Sequence, residues 1–108
     1  MAKLVLITAR GVKLIDLSGP RLTIGRSSKC DLVIDRPLLS RIHAALSAVE
    51  GGGFSVCDLD SRNGTFVNGE RIHRHLLRHH DTIRIGDCEL RYLDAPVKSR
   101  PGVLGLVG

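Results

Sequence analysis

The chain has 108 residues, of which 43% are apolar, 25% charged and only 3% aromatic. That length holds one domain with ordinary globular composition, which excludes a multidomain enzyme, a full (β/α)8 barrel and a disordered chain. The formal charge is +5, from 16 Lys and Arg against 11 Asp and Glu. Most of the excess is Arg, which grips phosphate and carboxylate through a planar fork, while the lack of aromatics leaves little to stack on single-stranded nucleic acid.

Along the chain, short apolar stretches alternate with turn residues. Leu4–Ile7 is strand-like and breaks at Arg10-Gly11. Val12–Leu17 follows and ends at Ser18-Gly19-Pro20. Leu22–Ile24 ends at Gly25, and Leu32–Ile34 stops at Asp35-Arg36-Pro37. The next segment is ambiguous. Leu38, Leu39, Ile42, Ala45, Leu46 and Val49 recur at helical spacing, and Pro37 suits a first helical position, so 37–50 read alone fits a helix as well as a loop plus strand. Phe54–Leu59 lies between the Gly51-Gly52-Gly53 turn and Ser61-Arg62-Asn63-Gly64. Thr65–Val67 runs into Asn68-Gly69, a hairpin turn pair.

The stretch from Glu70 to His80 reads as a loop. It carries Arg71, Arg74, Arg78 and four of the chain's five histidines. The spacing of His73, His75, His79 and His80 matches no zinc pattern, so no metal is expected. Thr82–Ile85 and Cys88–Leu93 flank a turn at Gly86-Asp87. Residues 95–108 contain Pro96 and Pro101 with several glycines, and read as a linker or flexible tail behind a domain of residues 1–94. Many short strands between turns point to an all-β sandwich or barrel with a core of Leu, Val and Ile.

Cys30, Cys57 and Cys88 are odd in number and form no CxxC pair, which argues against a disulfide framework or a zinc knuckle. No apolar run approaches membrane-spanning length, and the first residues lack a signal-peptide layout. A reduced, cytoplasmic setting is therefore the expectation. The chain holds no GxxxxGK[ST], HExxH or GxSxG motif, and nothing assembles a nucleophile with a base, so no enzyme and no cofactor are expected.

What the chain does hold is a set of loops rich in phosphate-type donors: Gly25-Arg26-Ser27-Ser28, Ser40-Arg41-Ile42-His43, and Ser61-Arg62-Asn63-Gly64-Thr65. Each sits at a strand end, where a sandwich displays binding groups. Singly they are ambiguous. Arg26 reads equally as a surface arginine, Ser40 as a helix cap, and Asn63-Gly64 as a plain turn.

Together these pieces resemble the forkhead-associated (FHA) domain, a phosphothreonine-binding module. The likeness runs through Gly25-Arg26, Ser40-Arg41-Ile42-His43, the stretch Asp58–Gly69 and Asp81–Gly86, and it spans nearly the whole chain. It implies an antiparallel β-sandwich of two sheets and about 11 short strands with little or no helix, and hence loop plus strand over 37–50. It further implies that Arg26 and Ser40 hold the phosphate with Arg41 beside them, and that Asn63 holds the peptide backbone with Arg62 adjacent. Leu38 and Leu39 would form the loop that reads the residue three after the phosphothreonine, favouring an apolar side chain there. His43 would brace the binding loops from beneath, and Gly25, Gly64, Thr65, Asn68 and Gly69 would shape them.

The implied partner is a threonine-phosphorylated protein, a Ser/Thr kinase or its substrate, bound by a monomer that engages neither nucleic acid nor membrane. A phosphate-independent assembly domain is the alternative. Two positions depart from the family pattern: His80 stands before Asp81 where Gly is usual, and Arg62 replaces a small hydroxyl residue before Asn63.

Overall fold

The computed structural model describes residues 2–95. The tail expected over 95–108 therefore lies outside the described residues from 96 onward. Eleven strands follow in order: β1 Lys3–Thr8, β2 Gly11–Asp16, β3 Arg21–Gly25, β4 Leu32–Val33, β5 Ala44–Ala48, β6 Phe54–Asp58, β7 Thr65–Val67, β8 Glu70–Ile72, β9 Arg74–Leu76, β10 Thr82–Ile85 and β11 Cys88–Leu93. They form a six-stranded sheet, β2-β1-β11-β10-β7-β8, and a five-stranded sheet, β4-β3-β5-β6-β9. The result is the two-sheet, all-β sandwich that the sequence implied, with no helix among the described residues.

Alternation builds the core. Leu4 and Leu6 of β1, Ile83 and Ile85 of β10, and Cys88, Leu90 and Tyr92 of β11 all point inward, with half-buried or exposed residues between them. Ile24, Leu46 and Val56 face them from the other sheet and are fully buried. Each such aliphatic side chain contributes about 1.5–3 kcal/mol by leaving water. Tyr92 is also buried and donates its hydroxyl to Asp94 at 2.9 Å. Burial and that carboxylate push its phenol well above the usual range.

Segment 37–50 is a loop followed by β5, not a helix. The helical stripe dissolves in three dimensions. Leu39 and Leu46 enter the core, while Leu38 and Ile42 stay 48% and 50% exposed.

The stretch read as a loop from Glu70 is instead two short strands, β8 and β9, each closing the edge of a different sheet. His73 alone separates them, and its carbonyl accepts the Asp58 N–H at 2.8 Å. Edge strands flanked by solvent need no apolar run, so nothing in their hydropathy marks them.

The Asn68-Gly69 turn between β7 and β8 has positive φ at both residues, 52° and 87°. That is the backbone twist a two-residue hairpin requires. His80 also takes a left-handed φ, of 77°. The residue standing where the family usually has Gly thus adopts the conformation Gly would favour.

Candidate functional site

β3 and β4 pair parallel, unlike the antiparallel sandwich the resemblance implied, and the other pairs are antiparallel. This order gathers several connections at one end of the sandwich. These are the β3–β4 loop, the β4–β5 loop, the β6–β7 loop and the β10–β11 turn. The short segment Leu38–Arg41 is the hub. Arg26 donates its N–H to the Ser40 carbonyl at 3.1 Å and its Nε–H to the Leu39 carbonyl at 3.1 Å. Ser27 N–H donates to the Arg41 carbonyl at 3.0 Å. From the other side, Arg62 N–H donates to Ser40 Oγ at 2.9 Å and Asn63 Nδ2 to the Leu38 carbonyl at 2.9 Å. The β3–β4 and β6–β7 loops are therefore both fastened to four consecutive residues of the β4–β5 loop.

Gly25 makes the first join possible. A Cβ there would lie 2.2 Å from the Arg41 carbonyl oxygen and 2.9 Å from Cys30 Sγ. The requirement is space, because Gly25 has no positive φ. Gly64 differs: its φ is 89°, and it also lies under a side chain.

His43 joins the loops from below. It is fully buried. Its Nδ1 accepts the Ser40 N–H at 3.0 Å, and its Nε2 lies 2.8 Å from the Gly64 carbonyl. An acceptor at Nδ1 places the ring proton on Nε2, which donates to that carbonyl. The bracing role expected for His43 thus has a geometry, linking the β4–β5 loop to the β6–β7 loop. The Ser40 N–H is thus spent on His43 and is not free to point at a ligand.

The β6–β7 loop is built on Asp58. Its carboxylate accepts from Ser61 Oγ and N–H and from Thr65 Oγ1, the last at 2.7 Å. Ser61 Oγ in turn accepts the Gly64 N–H at 2.9 Å. Burial raises the Asp58 pKa, but these hydrogen bonds outweigh it and hold the carboxyl below its usual range. The sequence reading gives Asp58 and Ser61 no such role. The Asp-x-x-Ser spacing of a side-chain-capped turn was the available signal.

Asn68 plays a parallel part beyond β7, donating to Asp81 at 3.0 Å and accepting the Thr82 N–H at 3.0 Å.

The free groups at the rim follow from what is already bonded. Arg26 is exposed and uses Nε, leaving both terminal nitrogens of its fork. Ser40 Oγ accepts from Arg62 N–H, which leaves its hydroxyl hydrogen to donate. Asn63 keeps its carbonyl oxygen and one amide hydrogen. The Arg41 and Arg62 side chains are exposed and have no ion-pair partner among the described residues.

Leu38 and Leu39 part company. Leu38 is exposed, whereas Leu39 is only 2% exposed and sits in the core, where it cannot touch a peptide. Leu39 is therefore corrected from a reading residue to a supporting one.

The histidines do not converge on a common point. His75 Nε2 faces Asp81 at 3.4 Å, and the His79 and His80 rings meet edge to face. Among the described residues no group of three His, Cys, Asp or Glu is placed to hold a metal, and no helix is long and apolar enough to cross a membrane.

A family model for the FHA domain matches residues 22–86. The chain is 42% identical over 77 residues to the ABC transporter ATP-binding/permease protein Rv1747 of Mycobacterium tuberculosis, covering 71% of this chain and 9% of that protein. It is 36% identical over 86 residues to the glycogen accumulation regulator GarA of Mycolicibacterium smegmatis, covering 80% of this chain and 54% of GarA. The chain thus spans about half of GarA and a small part of the transporter protein.

Among solved structures, one from an analysis of phosphothreonine-dependent FHA domain interactions superposes with a TM-score of 0.80 at 27% identity, covering 89% of this chain and 98% of that one. The FhaA FHA domain, complexed with the intracellular domain of Rv3910, gives 0.78 at 27% identity, covering 85% and 99%.

Proposed function

The chain belongs to the forkhead-associated family, and we propose from this that its loop end is a phosphopeptide reader, which joins a threonine-phosphorylated protein to whatever carries this domain. The observation that supports the reading is the hub. Ser40 lies in the segment Leu38–Arg41, and the loops that carry Arg26 and Asn63 are both hydrogen-bonded to that segment. Donors fixed before the ligand arrives cost little to order on binding.

In this reading, the two free nitrogens of Arg26 make parallel charge-assisted bonds to phosphate oxygens. The Ser40 hydroxyl donates a third bond, and the Arg41 guanidinium adds positive charge. The open carbonyl and amide of Asn63 pair with a peptide bond of the ligand as a strand edge does. Phosphothreonine supplies a charge of about −1.5 to −2 and three acceptor oxygens, and unmodified threonine supplies neither. Phosphorylation by a Ser/Thr kinase is therefore the switch. The domain works by binding alone, without a cofactor or a chemical step, in a cytoplasmic setting.

Calorimetric titration with a phosphothreonine peptide and its unphosphorylated twin tests the assignment. Arg26→Ala should cost more than about 1.5 kcal/mol, over tenfold in affinity, because a charge-assisted bond is removed. Equal affinity for the two peptides, or an unchanged titration for Arg26→Ala, would overturn it.

A further inference from the structure

Arg71 of β8 is exposed, yet its side chain lies against a neighbouring loop. The tight Asn68-Gly69 turn sets Phe66 opposite Arg71 across the hairpin. From there the Arg71 side chain crosses diagonally to Gly64. A Cβ on Gly64 would lie 2.7 Å from Arg71 Nε, 3.1 Å from its Cζ and 3.3 Å from its Cδ. The guanidinium therefore lies across the backbone of the residue that follows Asn63. Gly64 is held from both sides, with the His43 ring on its carbonyl and Arg71 over its Cα.

The arginine has no acid of its own. Among the described residues, no carboxylate lies within ion-pair distance of Arg71 or of Arg62. Neither side chain takes part in a hydrogen bond within the described residues. This is unlike Arg36, which is paired with Asp87, and Arg91, which lies 4.0 Å from Glu89. The neighbour of Arg71 on the sheet is Phe66, whose other side carries the Arg84 guanidinium 5.5 Å from the ring centre. Arg71 and Arg84 thus flank Phe66 on neighbouring strands, and Arg71 reaches the Asn63–Gly64 loop.

We propose that Arg71, packed on Gly64 with Arg62 nearby, forms a second anion subsite that reads an acidic group on the same peptide, a carboxylate or a second phosphate flanking the phosphothreonine. This rests on the phosphopeptide reading above. It concerns a different peptide position from the one that faces the exposed Leu38. The contact of its Cδ, Nε and Cζ with Gly64 brings the charge to this side of the loop. A charge resting beside Asn63 favours an anion at one peptide position over the others.

The test uses a phosphothreonine peptide set in which Asp, phosphoserine or Ala is placed in turn at each flanking position, titrated against the wild-type chain, Arg71→Gln, Arg71→Lys and Arg71→Glu. Wild type should prefer Asp over Ala by about fivefold at one flanking position, as expected for a partly exposed charge pair, with the preference shrinking in salt. Phosphoserine at that position should bind tighter than Asp if a second phosphate is the better occupant, and no tighter if a carboxylate is. Arg71→Gln should bring the Asp-to-Ala ratio close to one, Arg71→Lys should keep part of it, and Arg71→Glu should invert it. A purely structural Arg71 would weaken every peptide alike and leave the ratio intact, which would overturn the proposal while sparing the phosphopeptide reading. Absence of any phosphate-dependent binding by wild type would overturn both.

Discussion

Replacing His43 with Phe isolates the brace from the ligand contacts. Phe keeps a flat ring, somewhat larger than the imidazole, and removes both nitrogens. Two backbone groups then lose their partners: the buried Gly64 carbonyl, bonded at 2.8 Å, and the half-buried Ser40 N–H, bonded at 3.0 Å. A buried polar group left unpaired costs about 1–3 kcal/mol, and the half-buried one falls at the low end of that range. The sum is about 2–4 kcal/mol, a large part of the 5–15 kcal/mol by which small domains are stable. For a domain of this size that corresponds to a melting point lower by about 10–25 °C.

Affinity should fall as well, because Ser40 and Asn63 sit on the two loops that His43 joins. Loops that must be ordered on binding weaken it by about fivefold or more, although His43 touches no ligand. The assay is urea unfolding followed by circular dichroism, since the chain has no Trp, paired with phosphopeptide titration at a temperature where the variant is folded. A shift in midpoint with an unchanged slope reports lost stability. A loss under about 1 kcal/mol with unchanged peptide affinity would show that the other hydrogen bonds of the hub hold the loops by themselves.

Three further outcomes follow from the same geometry. His80→Gly should stabilise the fold by about 0.5–1 kcal/mol, because a left-handed φ costs about 1–2 kcal/mol in an L-residue and Gly's extra chain entropy returns only part of that; a lower urea midpoint would contradict it. Asp58 and Asp81 are both pushed up by burial, yet their hydrogen bonds hold them below the ordinary carboxylate range. A carboxyl with a depressed folded pKa stabilises fully above its unfolded value of about 4 and loses that contribution as pH falls further. Urea midpoints should therefore drop below pH 4, more steeply in wild type than in Asp58→Asn, and parallel curves would refute the assignment. Finally, an oriented phosphothreonine library should select apolar residues three positions after the phosphothreonine in wild type and acidic ones in Leu38→Arg; acidic selection by the wild type would remove Leu38 from that role.

The sequence marked most of the strands because their residues alternate on a pleat or stop at Gly, Asn and Asp turns. The β10–β11 hairpin and the β7 strand with its Asn68-Gly69 turn are examples. It marked the phosphate-binding candidates because only a few residue types donate to an anion from a loop. It could not separate helix from strand over 37–50, since Leu38 and Ile42 match a helical stripe that the fold never buries. It also hid β8 and β9, whose edges face water and so need no apolar pattern.

What the chain alone determined was the inventory: a sandwich with a Leu, Val and Ile core, and loops bearing Arg26, Ser40 and Asn63. What only the tertiary structure decided was which of their atoms are free. The Ser40 N–H goes to His43, Arg26 Nε to Leu39, and one Asn63 hydrogen to Leu38, while Arg71 comes to rest on Gly64. Those assignments depend on contacts between residues 3 to 25 positions apart. A hydrogen bond has a narrow range of distance and angle, so its partner is fixed only once the two sheets have closed and the loops stand side by side.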